Sequence, residues 1–300
     1  MSETMTPLAT VDTAGAAPAL RSPGRMAVRR FLRHRLAVAG LVVLVLIVLA
    51  TVFAGVLSGH DPTKVDLSQV RRAPSAEHWL GTDGSGRDVL ARLLYAGRVS
   101  LLVGVASSLL AVTIGTLLGA LAGIAGGWVD STIMRVADVL LSFPVLVVMV
   151  VIAGIVGSSV TMMVVAIGVF TWPTAGRVVR GVTLSLRERE FMHASRAFGA
   201  RTRWLVLHHV VPAVLGSVVV VATLAVATGI MLEASLSFLG LGVQPPQPSW
   251  GNMLTDAQRL TVISQMPWLW IPPGVAVAIT VLSVNFVGDG LRDAVDPREA

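Results

Sequence analysis

Residues able to do chemistry are sparse in this chain and stand mostly beside long apolar runs. The densest stretch is His78-Trp79-Leu80-Gly81-Thr82-Asp83-Gly84-Ser85-Gly86-Arg87-Asp88. Its glycines suggest a phosphate cradle, but the Lys-Ser/Thr ending of such a loop is missing. Asp83 and Asp88 suggest calcium, yet the regular oxygen ligands are absent and Arg87 intrudes. A tight turn capped by Asp83, leading to a surface helix over Val89–Tyr95, fits the residue types better. His208 and His209 are neighbours, point in different directions on a helix and make a poor metal pair. Asp138 stands one turn after Arg135 and is expected to pair with it. Glu233, near the end of an apolar run, calls for a polar cavity or a partner unless it snorkels to the interface. Asn285 is expected to bond between helices. Cysteine is absent, which excludes disulfides, thiolate metal sites and cysteine nucleophiles. No Ser-His or Asp dyad lies within the apolar runs, so neither a catalytic group nor a metal is expected.

Another chemistry, docking, is written in Glu190-Phe191-Met192-His193-Ala194-Ser195-Arg196-Ala197-Phe198-Gly199 and the residues up to Pro212. Phe191, Ala194, Ser195 and Phe198 recur at helical spacing on one face, and arginines and glutamates cover the other sides. Gly199 stands where a helix would end, because glycine tolerates the left-handed cap. Thr202 can cap a second helix, whose Trp204, Leu207 and Val211 fall roughly on one face. Two short helices bent at Gly199 follow. They either lie on the lipid surface as an amphipathic connector or dock a partner.

The elements that must position these residues are membrane spans. Of 300 residues, 54% are hydrophobic and 13% charged, against about 25% charged in soluble domains. The mean hydropathy is +0.77. The net charge of +6 is clustered, and no alternation of aromatic and basic residues suggests a nucleic-acid surface. Residues 1–24 read as a polar, Pro/Ala-rich tail. Arg25, Arg29, Arg30, Arg33 and Arg35 precede the first charge-free run, Leu36–Ser58, long enough to span a bilayer. Val99–Val129 follows, too long for one straight span, with Gly104, Gly115, Gly119 and Gly123 positioned for close helix packing. Val139–Gly176 is divided by Gly157-Ser158-Ser159 into two helices, the first kinked by Pro144 and the second with Pro173 near its end. Val210–Leu232 is the fifth span, opened by Pro212, and Trp268–Val287 the sixth, its start bent or delayed by Pro272 and Pro273. The arginine clusters place both termini and the loop 177–211 on the cytoplasmic side.

With six spans in place, the stretch from Ala194 through Gly199 to Pro212 resembles the EAA loop of ABC-importer permeases. His193 occupies that motif's glutamate position and Ser195 its second alanine. A histidine can accept a hydrogen bond or carry a positive charge, but it cannot reproduce a fixed carboxylate. Docking by shape and arginine charge is therefore expected in place of a glutamate-based salt link. The 78–88 stretch, the stretch Glu233-Ala234-Ser235-Leu236-Ser237-Phe238-Leu239-Gly240-Leu241-Gly242 with Pro245, Pro246 and Trp250 after it, and the tail Asp289-Gly290-Leu291-Arg292-Asp293-Ala294-Val295-Asp296-Pro297-Arg298 all resemble the dipeptide and oligopeptide "C"-type permeases. These stretches run from about residue 25 to the end of the chain, in the right order and topology.

The resemblance implies an all-α membrane protein of type I ABC-importer permease architecture, with six transmembrane helices and both termini cytoplasmic. It divides the chain into the tail 1–24, a first span with its outer loop over 25–98, a five-helix core over 99–288 and a tail over 289–300. Glu190, His193, Ala194, Ser195, Arg196, Gly199, Arg201 and Arg203 would form the ATPase-coupling surface. Trp79, Gly81, Asp83, Gly86, Arg87, Asp88, Pro245, Pro246 and Trp250 would make extracytoplasmic partner contacts. Glu233 and Asn285 would lie on the translocation path. The implied partners are a homologous "B"-type permease, two ATPases that bind ATP and Mg, a substrate-binding protein and membrane lipid, in the bacterial inner membrane, with no nucleic acid. No GxxxxGK[ST] gives this chain an ATP site of its own. Nickel or another small solute is the alternative cargo within the same class. A secondary transporter would need charges at mid-span, whereas Glu233 and Asp138 stand near span ends.

Overall fold

Among residues 23–295, which the computed structural model describes, the chain is a bundle of long helices joined by turns and by two longer loops, residues 59–88 and 239–266. In a bilayer every backbone polar group must be satisfied internally, and the apolar runs do so as helices. A short helix α1, Pro23–Arg33, leads through His34 into α2, Arg35–Val52, and α3, Ala54–Ser58. The His34 Nδ1 atom accepts the Ala37 N–H at 3.1 Å, and left-handed Gly59 ends α3. A loop over residues 59–88 then passes to α4, Val89–Ala125. The expected surface helix at Val89–Tyr95 is not separate, because it forms the first two turns of α4. Asp88 caps that helix by accepting the Ala91 N–H at 2.6 Å, and no breaker follows. At 37 residues, α4 is about 55 Å long. It exceeds the roughly 30 Å hydrocarbon core, so its ends stand outside the lipid.

Helices α5, Gly127–Ser142, and α6, Val145–Val156, are bent from one another by 84°. Pro144, with no N–H to donate, is the N-cap of α6 and marks the corner. Ser159 then caps α7, Val160–Arg187, by accepting the Met162 N–H at 3.1 Å. The expected break at Gly157-Ser158-Ser159 is present, and Pro173 lies within a continuous α7. Helices α8, Glu190–Ala197, and α9, Thr202–Leu205, precede a π-turn at Val206–Val210 and α10, Val211–Phe238. After α11, Trp250–Met253, and α12, Leu260–Gln265, helix α13 runs from Pro267 to Val295. Pro272 and Pro273 do not delay its start. They lie in its second turn.

Five of these helices are long and apolar enough to cross a membrane, and the α5–α6 pair makes a sixth crossing. Its first end, at Gly126, lies against the Arg187 guanidinium, and beyond its last, the Ser158 hydroxyl donates to the Leu241 carbonyl at 2.7 Å. The pair therefore joins opposite sides of the bundle. Both described ends of the chain share the arginine-rich side, where His34 Nε2 stands 3.6 Å from an Asp293 carboxylate oxygen. The remainder of the two tails, including Asp296, Pro297 and Arg298 of the closing motif, lies outside the described residues.

Helices α4 and α7 cross at backbone distance. Gly115, Gly119 and Gly123, spaced by one turn, form the contact. A Cβ at Gly115 would fall 2.7 Å from Ala175 Cβ, one at Gly123 would fall 2.6 Å from Thr183 Cβ, and one at Gly119 would overlap the Gly176 carbonyl. Close packing through small residues is how helices associate where lipid is as apolar as leucine.

Candidate functional site

The helix pair α8–α9 is rooted at one end and free at the other. Met192 is fully buried and joins Ile124 of α4, Val179 of α7, and Leu205, Val206, Val210 and Val214 in one apolar cluster. The opposite face is bare. Phe198 is 92% exposed, and Phe191 and Trp204 are exposed as well. Gly199 has φ +82° with open space around it. The Ala200 N–H reaches the Ser195 carbonyl at 3.1 Å across it, closing α8 in the manner of a glycine C-cap. Thr202 does not cap α9. Arg201 holds the N-cap position without a side-chain bond, and Thr202 is the first helical residue. A groove of about 530 Å³ between the two helices is lined by Ser195, Phe198, Gly199, Ala200, Arg201, Arg203 and Trp204.

The structure thus brings Ser195, Gly199, Arg201 and Arg203 to one groove and leaves Glu190, His193 and Ala194 exposed on α8. The Arg196 side chain lies outside the described residues. His208 and His209 both turn to Trp204. His208 stacks on the indole with centroids 4.8 Å apart, and His209 meets it edge-on at 5.1 Å. Above the pair, Arg180 of α7 grips Asp130 of α5 with two bonds of 2.5 and 2.6 Å. Asp138 does not pair with Arg135. It takes Arg177 of α7 at 2.7 Å, because the α4–α5 turn lays α5 alongside α7.

On the opposite side, Asp83 organises the expected tight turn. One carboxylate oxygen accepts the N–H groups of Ser85 (2.8 Å) and Arg87 (3.0 Å), while the other faces the Nε atoms of Arg87 (2.8 Å) and Arg92 (3.3 Å). Asp88 binds His78 Nδ1 at 2.8 Å besides capping α4. Gly81 and Gly86 are left-handed, at φ +71° and +74°. Of the nine residues expected to touch outer partners, Gly81, Asp83, Gly86, Asp88 and Trp250 are buried. They build the frame. Trp79, 69% exposed, and Pro245 and Pro246, joined by a cis peptide bond, face outward. Arg87 is half-buried between the two groups.

Glu233 does not snorkel. It is fully buried in α10, where its two oxygens accept hydroxyls from Ser100 of α4 and Ser237, each at 2.7 Å. Ser100 in turn accepts the Trp250 N–H at 3.2 Å, and the Trp250 indole donates to the Leu93 carbonyl at 3.0 Å. A buried carboxylate thus ties α4, α10 and the start of α11 together. Sequence reasoning missed Ser100 and Ser237, whose only signal is a hydroxyl on an otherwise apolar helical face. Asn285 is half-buried and makes no interhelical side-chain hydrogen bond among the described residues.

Residues 115–300 match the family described as binding-protein-dependent transport system inner membrane component. The chain belongs to that family. Residues 22–74 further match the N-terminal transmembrane domain of oligopeptide transport permease C. Among relatives of this chain, a putative peptide permease protein of Brucella suis is 46% identical over 281 residues, covering 94% of this chain and 93% of its own. An oligopeptide transport system permease protein of Escherichia coli is 45% identical over 281 residues, with coverage of 93% and 92%. A dipeptide transport system permease protein of Alkalihalophilus pseudofirmus is 40% identical over 277 residues, with coverage of 92% and 90%.

Proposed function

We propose that the chain is one of two permease subunits of an ATP-driven importer for di- or oligopeptides in a bacterial inner membrane. The observation that carries this reading is the helix pair α8–α9, exposed at Phe198 and rooted by Met192 and Leu205 where α4, α7 and α10 meet. A force on the exposed face reaches three spans through packed side chains, which are too dense to absorb it. The peptide-permease names of the relatives support the cargo.

In this reading Glu190, His193, Ala194, Ser195, Arg196, Gly199, Arg201 and Arg203 form the surface that a separate ATPase holds. Two such ATPases bind ATP and Mg²⁺ and hydrolyse the nucleotide, and this chain contributes no catalytic group. Their closure moves α8–α9 and shifts the spans between inward and outward access. A cargo gains passage only by stabilising one state over the other. A homologous permease completes the pore. An extracytoplasmic binding protein delivers the peptide to the outer face, where Trp79, Pro245 and Pro246 are exposed. The arginine-rich side is cytoplasmic. Glu233 and Asn285 would lie beside the translocation path, Glu233 holding the outer ends of its helices in place.

The test is reconstitution with candidate ATPases and a candidate second permease. Uptake of a labelled dipeptide that requires ATP is expected. Failure of the chain to co-purify with any ATPase, with uptake surviving ATP depletion, would refute the reading.

A further inference from the structure

Helix α1 carries Arg25, Arg29, Arg30 and Arg33 and no acidic residue, and Arg35 follows at the start of α2. On the helical wheel Val28, Phe31 and Leu32 share one side, with Arg29 and Arg33 on the other. The apolar side is only partly used within the chain. Phe31 packs on α13, where a Cβ at Gly290 would fall 3.3 Å from its ring. Val28 and Leu32 remain 60% and 61% exposed, beside exposed Arg29 and Arg33. The depth of α1 is also fixed. A single non-helical residue, His34, separates it from α2, which crosses the membrane from Arg35 onward. A helix so tethered stands within reach of the acyl boundary and of the head groups.

We propose that α1 is an in-plane helix that docks on anionic phospholipid in the leaflet on its own side. Val28 and Leu32 enter the acyl boundary, as the apolar face of an interfacial helix does. Arg29 and Arg33 meet lipid phosphates, and a helix with arginines and no acidic residue of its own selects an anionic leaflet over a zwitterionic one. An acidic protein surface would satisfy the arginines but leave Val28 and Leu32 in water. Because Phe31 holds α1 to the end of α13, the docked lipid is coupled to the last span. The inference is independent of the cargo.

The chain has no cysteine, so Val28→Cys carrying an environment-sensitive fluorophore reports a single site. The full chain is placed in nanodiscs of phosphatidylcholine alone or mixed equally with phosphatidylglycerol. The expected result is a blue-shifted emission, quenched by shallow spin-labelled lipid, that is strong in the mixed discs and weak in phosphatidylcholine. Neutralising Arg29 and Arg33 to glutamine is expected to lower the docked-to-free ratio about fivefold per arginine, and high salt should act likewise. Emission typical of water in both discs would overturn the proposal. So would burial equal in both discs and indifferent to the arginines, or burial that arises only on adding an ATPase, which would assign the helix to a protein partner.

Discussion

Replacing Glu233 by alanine tests whether the buried carboxylate holds the outer half of the bundle together. Its two oxygens accept the Ser100 and Ser237 hydroxyls at 2.7 Å each. The substitution takes the acceptor from both O–H donors in a site closed to water, at about 1–3 kcal/mol each. The void left by the side chain adds to that cost. Desolvation works in the opposite direction, because a buried carboxylate without a cation at ion-pair distance is itself costly to keep. With two short bonds in place, the bonded state is expected to win, and Glu233→Ala should destabilise by about 3–5 kcal/mol. Glu233→Gln keeps the shape and one acceptor, and its amide can donate to a rotated serine oxygen. It should cost about 1 kcal/mol or less. Denaturant unfolding of the purified chain, followed by tryptophan fluorescence, measures both. Limited proteolysis of the hairpin over residues 239–266 should show it loosened in the alanine variant alone. An alanine variant as stable as the parent, or a glutamine variant as damaged as the alanine one, would refute the reasoning.

Four further outcomes follow from other contacts. Gly119→Ala places a methyl on the Gly176 carbonyl, so α4 and α7 must part, with a loss of about 1–3 kcal/mol in the same unfolding assay. Asp138→Asn should change stability by about 0.5 kcal/mol or less, since Asp138 and Arg177 are 53% and 52% exposed, whereas Asp130→Asn, which breaks a two-pronged grip on Arg180, should cost about 1 kcal/mol. On the loop between α3 and α4, hydrogen bonds from the Thr63 and Ser68 side chains hold the Asp61 and Asp66 carboxyls below the usual aspartate range. Their contribution is present above that range and is lost as pH falls through the lowered values, so loop order read from protection of residues 59–88 against hydrogen exchange should persist at pH 5 and fall only below about pH 3.9.

Much of the fold is legible in the sequence because lipid leaves a chain few options. Charge-free runs must be helices, and the glycines at 115, 119 and 123 announce a close crossing before the partner helix is known. The bend at Gly199 is equally local, since a glycine after an amphipathic turn is a helix end whatever surrounds it. What escapes is set by contacts between distant residues. Arg177 lies 39 residues from Asp138 and Ser100 lies 133 from Glu233, and no periodicity carries such pairings. Met192 is the instructive case at the docking pair. The spacing of Phe191, Ala194, Ser195 and Phe198 marks a face correctly, but it is the exposed one, and the residue that anchors α8 is the single Met192 between them. The junction at Asp88 misleads for the reverse reason. The glycine-rich turn reads as leading to a separate surface helix over Val89–Tyr95, yet Asp88 is the cap from which α4 runs unbroken, beginning ten residues before its charge-free run.

The central claim is that α8–α9 transmits the work of the ATPases, and Gly199→Asp tests it most directly. The site has open space, so the side chain fits, but φ of +82° strains it and a carboxylate enters a groove lined by Arg201 and Arg203. In proteoliposomes holding the assembled importer, ATP-driven dipeptide uptake should fall about tenfold or more. The chain should still insert and unfold as the parent does. Uptake undiminished in a correctly inserted Gly199→Asp variant would contradict the account.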